Sequence, residues 1–349
     1  MNDINTNRFL NIVAALFVVG FSFYVLKELQ SIFLPFFIAA IIAILFEPFY
    51  EWLKSKKIPG PISLIIVVIV IILLSNITSL FVLTSITSFQ GKIPEYVEKG
   101  SIMISKFTGY FSQYEFLRGI DLSGIVTTEK LTQYASGVIS SIVNLFANFI
   151  LILIYIIFLI SEIGSIKKRI LSAFSSSRAR QIADTLSDIF QDVRKYILGK
   201  TLINLSHGLF VTAILWIFGV DFFLVWGFLA FLMAFIPNIG SLISTILPFT
   251  ISLIQFEGEY TKPIIILVLM IVSANIVGNI IEPKVLGDKL NLSPILLLFS
   301  LIFWGYLWGI VGMILSVPIM SMIKIVLSKF EQTKPLSILM SYNISKTKK

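Results

Sequence analysis

The chain has 349 residues, of which 57% are hydrophobic and 13% charged, with 31 Phe, one His and no Cys, and a mean hydropathy of +0.95. That composition lies far outside soluble globular norms, excludes disulfides and thiolate metal sites, and rules out a histidine cluster built from one chain. The net charge of +8 sits in loops and tail and is not interleaved with aromatics on a polar face, so it argues for membrane orientation and against nucleic acid as a partner.

From the N-terminus, polar residues 1–8 lead into an apolar run too long for a signal-peptide core and without a small-residue cleavage site, which predicts a retained first span. Apolar stretches predict spans at 9–26, 32–50, 62–84 and 137–160, then at 202–220 and 263–281. Lys54, Lys56 and Lys57 follow the second span, a basic stretch from Lys167 to Lys200 follows the fourth, and the tail carries Lys329, Lys334, Lys346, Lys348 and Lys349. All three groups share a side when the N-terminus is inside, so both termini are assigned to the cytoplasm. Segment 91–136 falls on the other side with balanced charge and scattered apolar residues, which predicts short amphipathic helices. Ile182, Leu186, Ile189, Val193 and Ile197 mark one apolar helix face within 161–200. That helix lies in the interface as a coupling element, or against lipid or the ends of its neighbours.

Two apolar runs of about 35 residues, 222–256 and 294–327, are each broken near the middle. The first break is Pro237-Asn238-Ile239-Gly240-Ser241, and the second spans Gly305, Gly309 and Gly312. An unbroken helix of that length is roughly 50 Å long, against a hydrocarbon core of ~30 Å, so each run is expected to fold back. Broken segments in lipid survive where they line a protected cavity. The predicted fold is all-α and polytopic: about six full spans plus two broken or re-entrant hairpins, arranged as an inverted helix-plus-hairpin repeat in the C-terminal half. An eight-span count and full crossings by each arm are the rivals. The organisation is 1–84 (three spans), 85–136 (extracytoplasmic segment), 137–160 (fourth span), 161–200 (cytoplasmic amphipathic helices), 201–327 (transport unit) and 328–349 (basic tail).

Candidate solute-pathway residues follow from chemistry at those breaks. Pro237 frees a carbonyl, Gly240 permits close backbone approach, and Asn238 and Ser241 offer an amide and a hydroxyl. Gly305, Gly309 and Gly312 form an opposing tip, or serve plain helix packing. Asn275 and Asn279 are four apart, on one face of the span 263–281, where a pathway or a neighbouring helix must satisfy them. Glu282 is a protonation site if submerged, or a surface ion pair with Lys284. Asn204 and His207 lie in the first turns of their span, where His207 is interfacial or a proton-coupling group. Asn144 and Asn148 repeat the four-residue spacing as helix glue.

Three pieces of the chain resemble the autoinducer-2 exporter family of bacterial permeases: Tyr196-Ile-Leu-Gly-Lys200, Pro237-Asn-Ile-Gly240 with Pro248, and the ordered run from Glu282-Pro-Lys-Val-Leu-Gly287 through Leu292-Ser-Pro294 to Gly309-Ile-Val-Gly-Met313 and Val317-Pro318. The resemblance implies an integral membrane permease, in a family whose members include exporters of a furanone-like signal and others linked to cation–proton antiport. The acidic residue usual six positions before the first proline is Val277 here, and the histidine usual before the second is Ser293, which weakens ion coupling at those positions.

The function expected is a secondary transporter, not an enzyme, that exports a small polar solute such as autoinducer-2. No nucleotide motif or cofactor is expected; the partners are the lipid bilayer, the solute and either H+ or Na+, with homo-oligomerisation left open. A Na+(Li+)/H+ antiporter and a non-transport receptor or scaffold are the alternatives.

Overall fold

The computed structural model describes residues 13–14, 17–18, 20–111, 148–173, 176–236, 239–286 and 292–342. Among these, every regular element is helical, apart from an isolated antiparallel bridge between Leu292 and Ser341. The elements are α1 (Gln30–Ser55), α2 (Gly60–Phe111), α3 (Phe149–Ala173), α4 (Ser176–Ile217), α5 (Phe223–Met233), α6 (Ile239–Gln255) and α7 (Thr261–Ile276), followed by a π-helical turn (Val277–Ile281), α8 (Glu282–Leu286), α9 (Pro294–Ser328) and α10 (Lys334–Leu339). Five described helices are long and apolar enough to cross a membrane, and three shorter apolar ones accompany them. Large apolar side chains such as Ile77, Ile150, Trp216 and Ile295 cover the outside. The protein is all-α and polytopic.

Helices α1, α2 and α3 form one bundle. Ala39 and Ala43, one turn apart, open a groove that Val67 and Ile71 of α2 and Ile152, Ile156 and Ile160 of α3 fill. Lipid tails are as apolar as these side chains, so close packing and polar contacts hold such helices together more than apolar burial does. The apolar face of α4 is buried. Ile189, Val193 and Ile197 pack with Ile41 and Leu45 of α1, Leu286 of α8 and Met322 of α9, which places this face against its neighbours' ends.

Helix α4 carries on without a break through residue 200, where sequence alone divides a cytoplasmic segment from a span. Helix α2 likewise continues past residue 84. After α4 the chain reverses at Gly219 and Phe222, both with positive φ.

Both long apolar runs double back. The first does so after Met233, where the Ile236 N–H bonds to the Met233 carbonyl and the Gly240 N–H to that of Ile236. Pro237 and Asn238 lie outside the described residues. A Cβ on Gly240 would stand 1.8 Å from the Met233 carbonyl oxygen, so only glycine lets the arms meet. In the second, Trp308 (φ −129°, ψ 17°) and Gly309 (φ 63°, ψ −148°) leave the helical region. The Ser300 hydroxyl then donates to the Ser316 carbonyl at 3.2 Å. Sixteen residues of straight helix would hold them roughly 24 Å apart.

The hairpins point opposite ways. At one end of the molecule Arg194 pairs with Glu47, and Lys329 pairs with Asp192 at 2.9 Å; this is the basic end, and the base of the α9 hairpin lies there. At the other end Lys92 and the Tyr96 hydroxyl of α2 reach Asp221 at 2.5 and 2.8 Å, and Lys106 reaches Glu257 at 2.7 Å. Asp221 and Glu257 flank the α5–α6 hairpin, whose tip therefore points to the basic end. Burial, reinforced by the hydrogen bond to Asp221, holds the Tyr96 phenol well above its usual range.

Candidate functional site

A cavity of about 420 Å³ opens where the tip of the α5–α6 hairpin meets α4 and the α7–α8 junction. Its size suits a small solute; ligand sites commonly span roughly 300–1,000 Å³. Each wall is explained by local sequence. Helix α4 contributes Lys200, Asn204 and His207, spaced four and three apart and hence on one face. Asn275 and Asn279 come from α7 and the π turn, and Glu282 from the start of α8. The π turn puts an extra residue into the helix before Glu282, a feature found mostly at functional sites. Ser241 comes from the first turn of α6, beside the break.

The polar groups are linked across elements. Lys200 Nζ donates to Glu282 Oε1 at 2.7 Å, with side-chain exposures of 8% and 33% respectively. The cation is thus the deeper partner, and the carboxylate lies toward the open side. Leaving such a cation alone would cost about 3–5 kcal/mol. Asn204 is 1% exposed. In the amide orientation that satisfies both ends, it donates to the Lys200 carbonyl at 3.3 Å and accepts from the Phe235 N–H at 3.2 Å. It thereby fastens the hairpin tip to α4. His207 Nε2 lies 3.4 Å from the Ser244 hydroxyl, and its buried Nδ1 has no protein partner. The Asn279 amide donates to Asn275 Oδ1 at 3.0 Å, and that of Asn275 to the Ile271 carbonyl.

Six residues singled out by sequence, Asn204, His207, Ser241, Asn275, Asn279 and Glu282, therefore share one cavity. Gly240 lies just beneath, at the contact between hairpin arms. Glu282 pairs with Lys200, eighty-two positions away, and not with its neighbour Lys284. The glycines of the second break are elsewhere. Gly309 lines a separate cavity of about 310 Å³ with Gln30, Ser31, Asn148 and Trp308. Gly305 packs on Met313, and a Cβ on Gly312 would sit 2.0 Å from the Trp304 carbonyl oxygen, so these two join the hairpin arms. The second hairpin reaches the larger cavity through Leu297 and Val317 on its arms.

Sequence reasoning placed Lys200 in a basic stretch and quoted Tyr196 and Lys200 as the ends of a family-like motif, giving neither a place in the site. The available signal was the spacing Lys200, Asn204, His207, a polar stripe in an otherwise apolar segment.

Comparison with known proteins agrees with a membrane carrier. A family model described as AI-2E family transporter matches residues 12–332. A putative transport protein of Borreliella burgdorferi is 29% identical, the match covering 97% of this chain and 94% of that protein. The putative transport protein YhhT of Escherichia coli K12 is 28% identical, covering 87% and 86%. The AI-2 transport protein TqsA of the same organism is 26% identical, covering 89% and 90%.

Proposed function

The chain belongs to the AI-2E family of transporters, and from that footing we propose that it is a secondary permease carrying a small polar solute outward through the cavity between α4, the α5–α6 tip and α7–α8. One observation carries this reading: a cavity whose polar groups converge from three separate elements, one of them a hairpin that reverses beside it. Helical hairpins that re-enter the bilayer from opposite faces would give alternating access when the two helix-plus-hairpin units shift against the α1–α3 bundle. In this proposal the basic end faces the cytoplasm of a bacterial cell, with both termini there. The name of the relative TqsA puts autoinducer-2 at the head of the solutes to try.

Cation–proton exchange is less well supported. Glu282 is the one carboxylate among the residues lining the cavity, and it is taken up by Lys200. A cation entering there would meet a neutralised pair and a nearby ammonium.

The test is uptake and efflux of a panel of polar solutes, autoinducer-2 included, in proteoliposomes with and without a pH gradient. Wild-type protein should give saturable flux, and Asn279→Leu should lower it about tenfold through the loss of one polar contact to the solute. Flux that is unaltered in Asn279→Leu would remove the cavity from the pathway.

A further inference from the structure

We infer that the cavity holds an oxyanion head, so that the permease favours small polar solutes bearing one carboxylate or phosphate group over their neutral counterparts; this rests on the permease reading above and narrows its substrate class.

The argument starts from which charge is fixed. Lys200 stands within α4, a 42-residue helix, and its side chain is 8% exposed. Glu282 begins a five-residue helix that follows the π turn, is followed by Pro283, and is 33% exposed. The cation is built in, and the anion is the partner with room to leave. A ligand that takes the place of the movable member must carry the movable member's charge. Swinging away, Glu282 would move toward the open side, where water screens it, so the exchange leaves no buried charge unpaired.

One further feature favours negative charge at the same spot. Helix α6, 17 residues long, directs its first turn at the cavity through Ser241, and a helix N-terminus carries about half a positive charge. An ammonium and a helix N-terminus thus face a single carboxylate. Broken helices of membrane carriers present their N-termini to anionic solute groups for the same physical reason.

The experiment uses the full chain in proteoliposomes and measures saturable flux of lactate and glycerol 3-phosphate against their neutral counterparts lactamide and glycerol. The wild type should favour each anion over its neutral counterpart by about tenfold. Glu282→Gln removes the competing carboxylate and should lower KM for the anions several-fold. Lys200→Met leaves a lone carboxylate and risks misfolding, so the decisive variant is the double substitution Lys200→Met with Glu282→Gln. It removes both charges, should elute as the wild type does on gel filtration, and should bring the anion-to-neutral flux ratio to about one. A purely structural ion pair would lower all four fluxes together and keep their ratio, which overturns the inference. Lactamide and glycerol carried as well as the anions by the wild type also overturns it and leaves the permease reading standing. Refusal of all four probes overturns it too, and refusal of the wider solute panel as well brings down the permease reading.

Discussion

In the first hairpin Gly240 lies against the Met233 carbonyl, and in the second Gly312 lies against that of Trp304. Each turn thus places a glycine seven or eight residues beyond a carbonyl of the opposite arm, which lets two apolar helices touch backbone to backbone. Their surroundings differ. The first tip is held by Asn204 and opens on the cavity of about 420 Å³. The second tip is aromatic: Trp304 and Trp308 pack on Phe37 of α1, and the Trp308 indole donates to the Leu26 carbonyl at 3.1 Å. The bases differ as well. Lys92, Tyr96 and Lys106 of α2 fasten the first. The second is fastened by Lys329 to α4 and by the Ser293 N–H to the Met340 carbonyl beyond α10. One construction serves two tasks, a tip that meets solute and a tip that is anchored in the bundle.

The severest test of the shared construction is to add a methyl group at each close approach. Gly240→Ala and Gly312→Ala should each destabilise the protein by about 3 kcal/mol, since the clash is with backbone and cannot be relieved by a rotamer change. Thermal unfolding in detergent reads this. If Gly312→Ala unfolds with the wild type while Gly240→Ala does not, the two turns are not equivalent.

Asn204→Leu sharpens the difference between the tips. It removes the bonds from this amide to the Lys200 carbonyl and the Phe235 N–H, at a cost of about 1–2 kcal/mol since that N–H keeps the Leu232 carbonyl, and should speed maleimide labelling of a Ser241→Cys reporter. Labelling at the wild-type rate would show that the tip is held by other contacts.

Trp308→Phe should cost about 1 kcal/mol through the lost indole hydrogen bond and leave solute flux within about twofold, because the second tip borders the other cavity. A large loss of flux would give the second tip a share in transport.

The smallest effect concerns the α2 extension that supports the first base. The hydrogen bond and charge of Lys99 hold the exposed Glu95 carboxyl below its usual range. A depressed folded pKa means that the pair supports the fold at neutral pH, and that this support fades as pH falls through and below the ordinary carboxylate range. Glu95→Gln should flatten that acid-side step in a pH series of unfolding curves. An unchanged step would assign it to another carboxylate.

Local chemistry made the breaks readable. Glycine and proline inside apolar runs too long for one crossing pointed to reversals, and the chain reverses at 234–236 and at 308–309. The four-residue spacing of Asn275 and Asn279 likewise placed both on one face, where they bond to each other. Long-range pairing was not readable. Nothing near Glu282 in sequence distinguishes Lys200 from the adjacent Lys284, because the choice is made by how α8 packs on α4. The aromatic clasp on the second tip was hidden for the same reason, as Trp308 and Leu26 are 282 positions apart. The continuity of α4 was obscured because residues 176–200 are polar enough to suggest a separate element, whereas one face of them is buried in the bundle.

That continuity has a mechanical consequence. At about 63 Å, α4 is roughly twice as long as the hydrocarbon core is thick, one unbroken rod that carries Lys200, Asn204 and His207 on its C-terminal half. Twisting the rod about its axis would sweep all three past the hairpin tip together. The Arg194–Glu47 and Lys329–Asp192 contacts, close to the midpoint of the rod, tie it to α1 and to the base of the second hairpin.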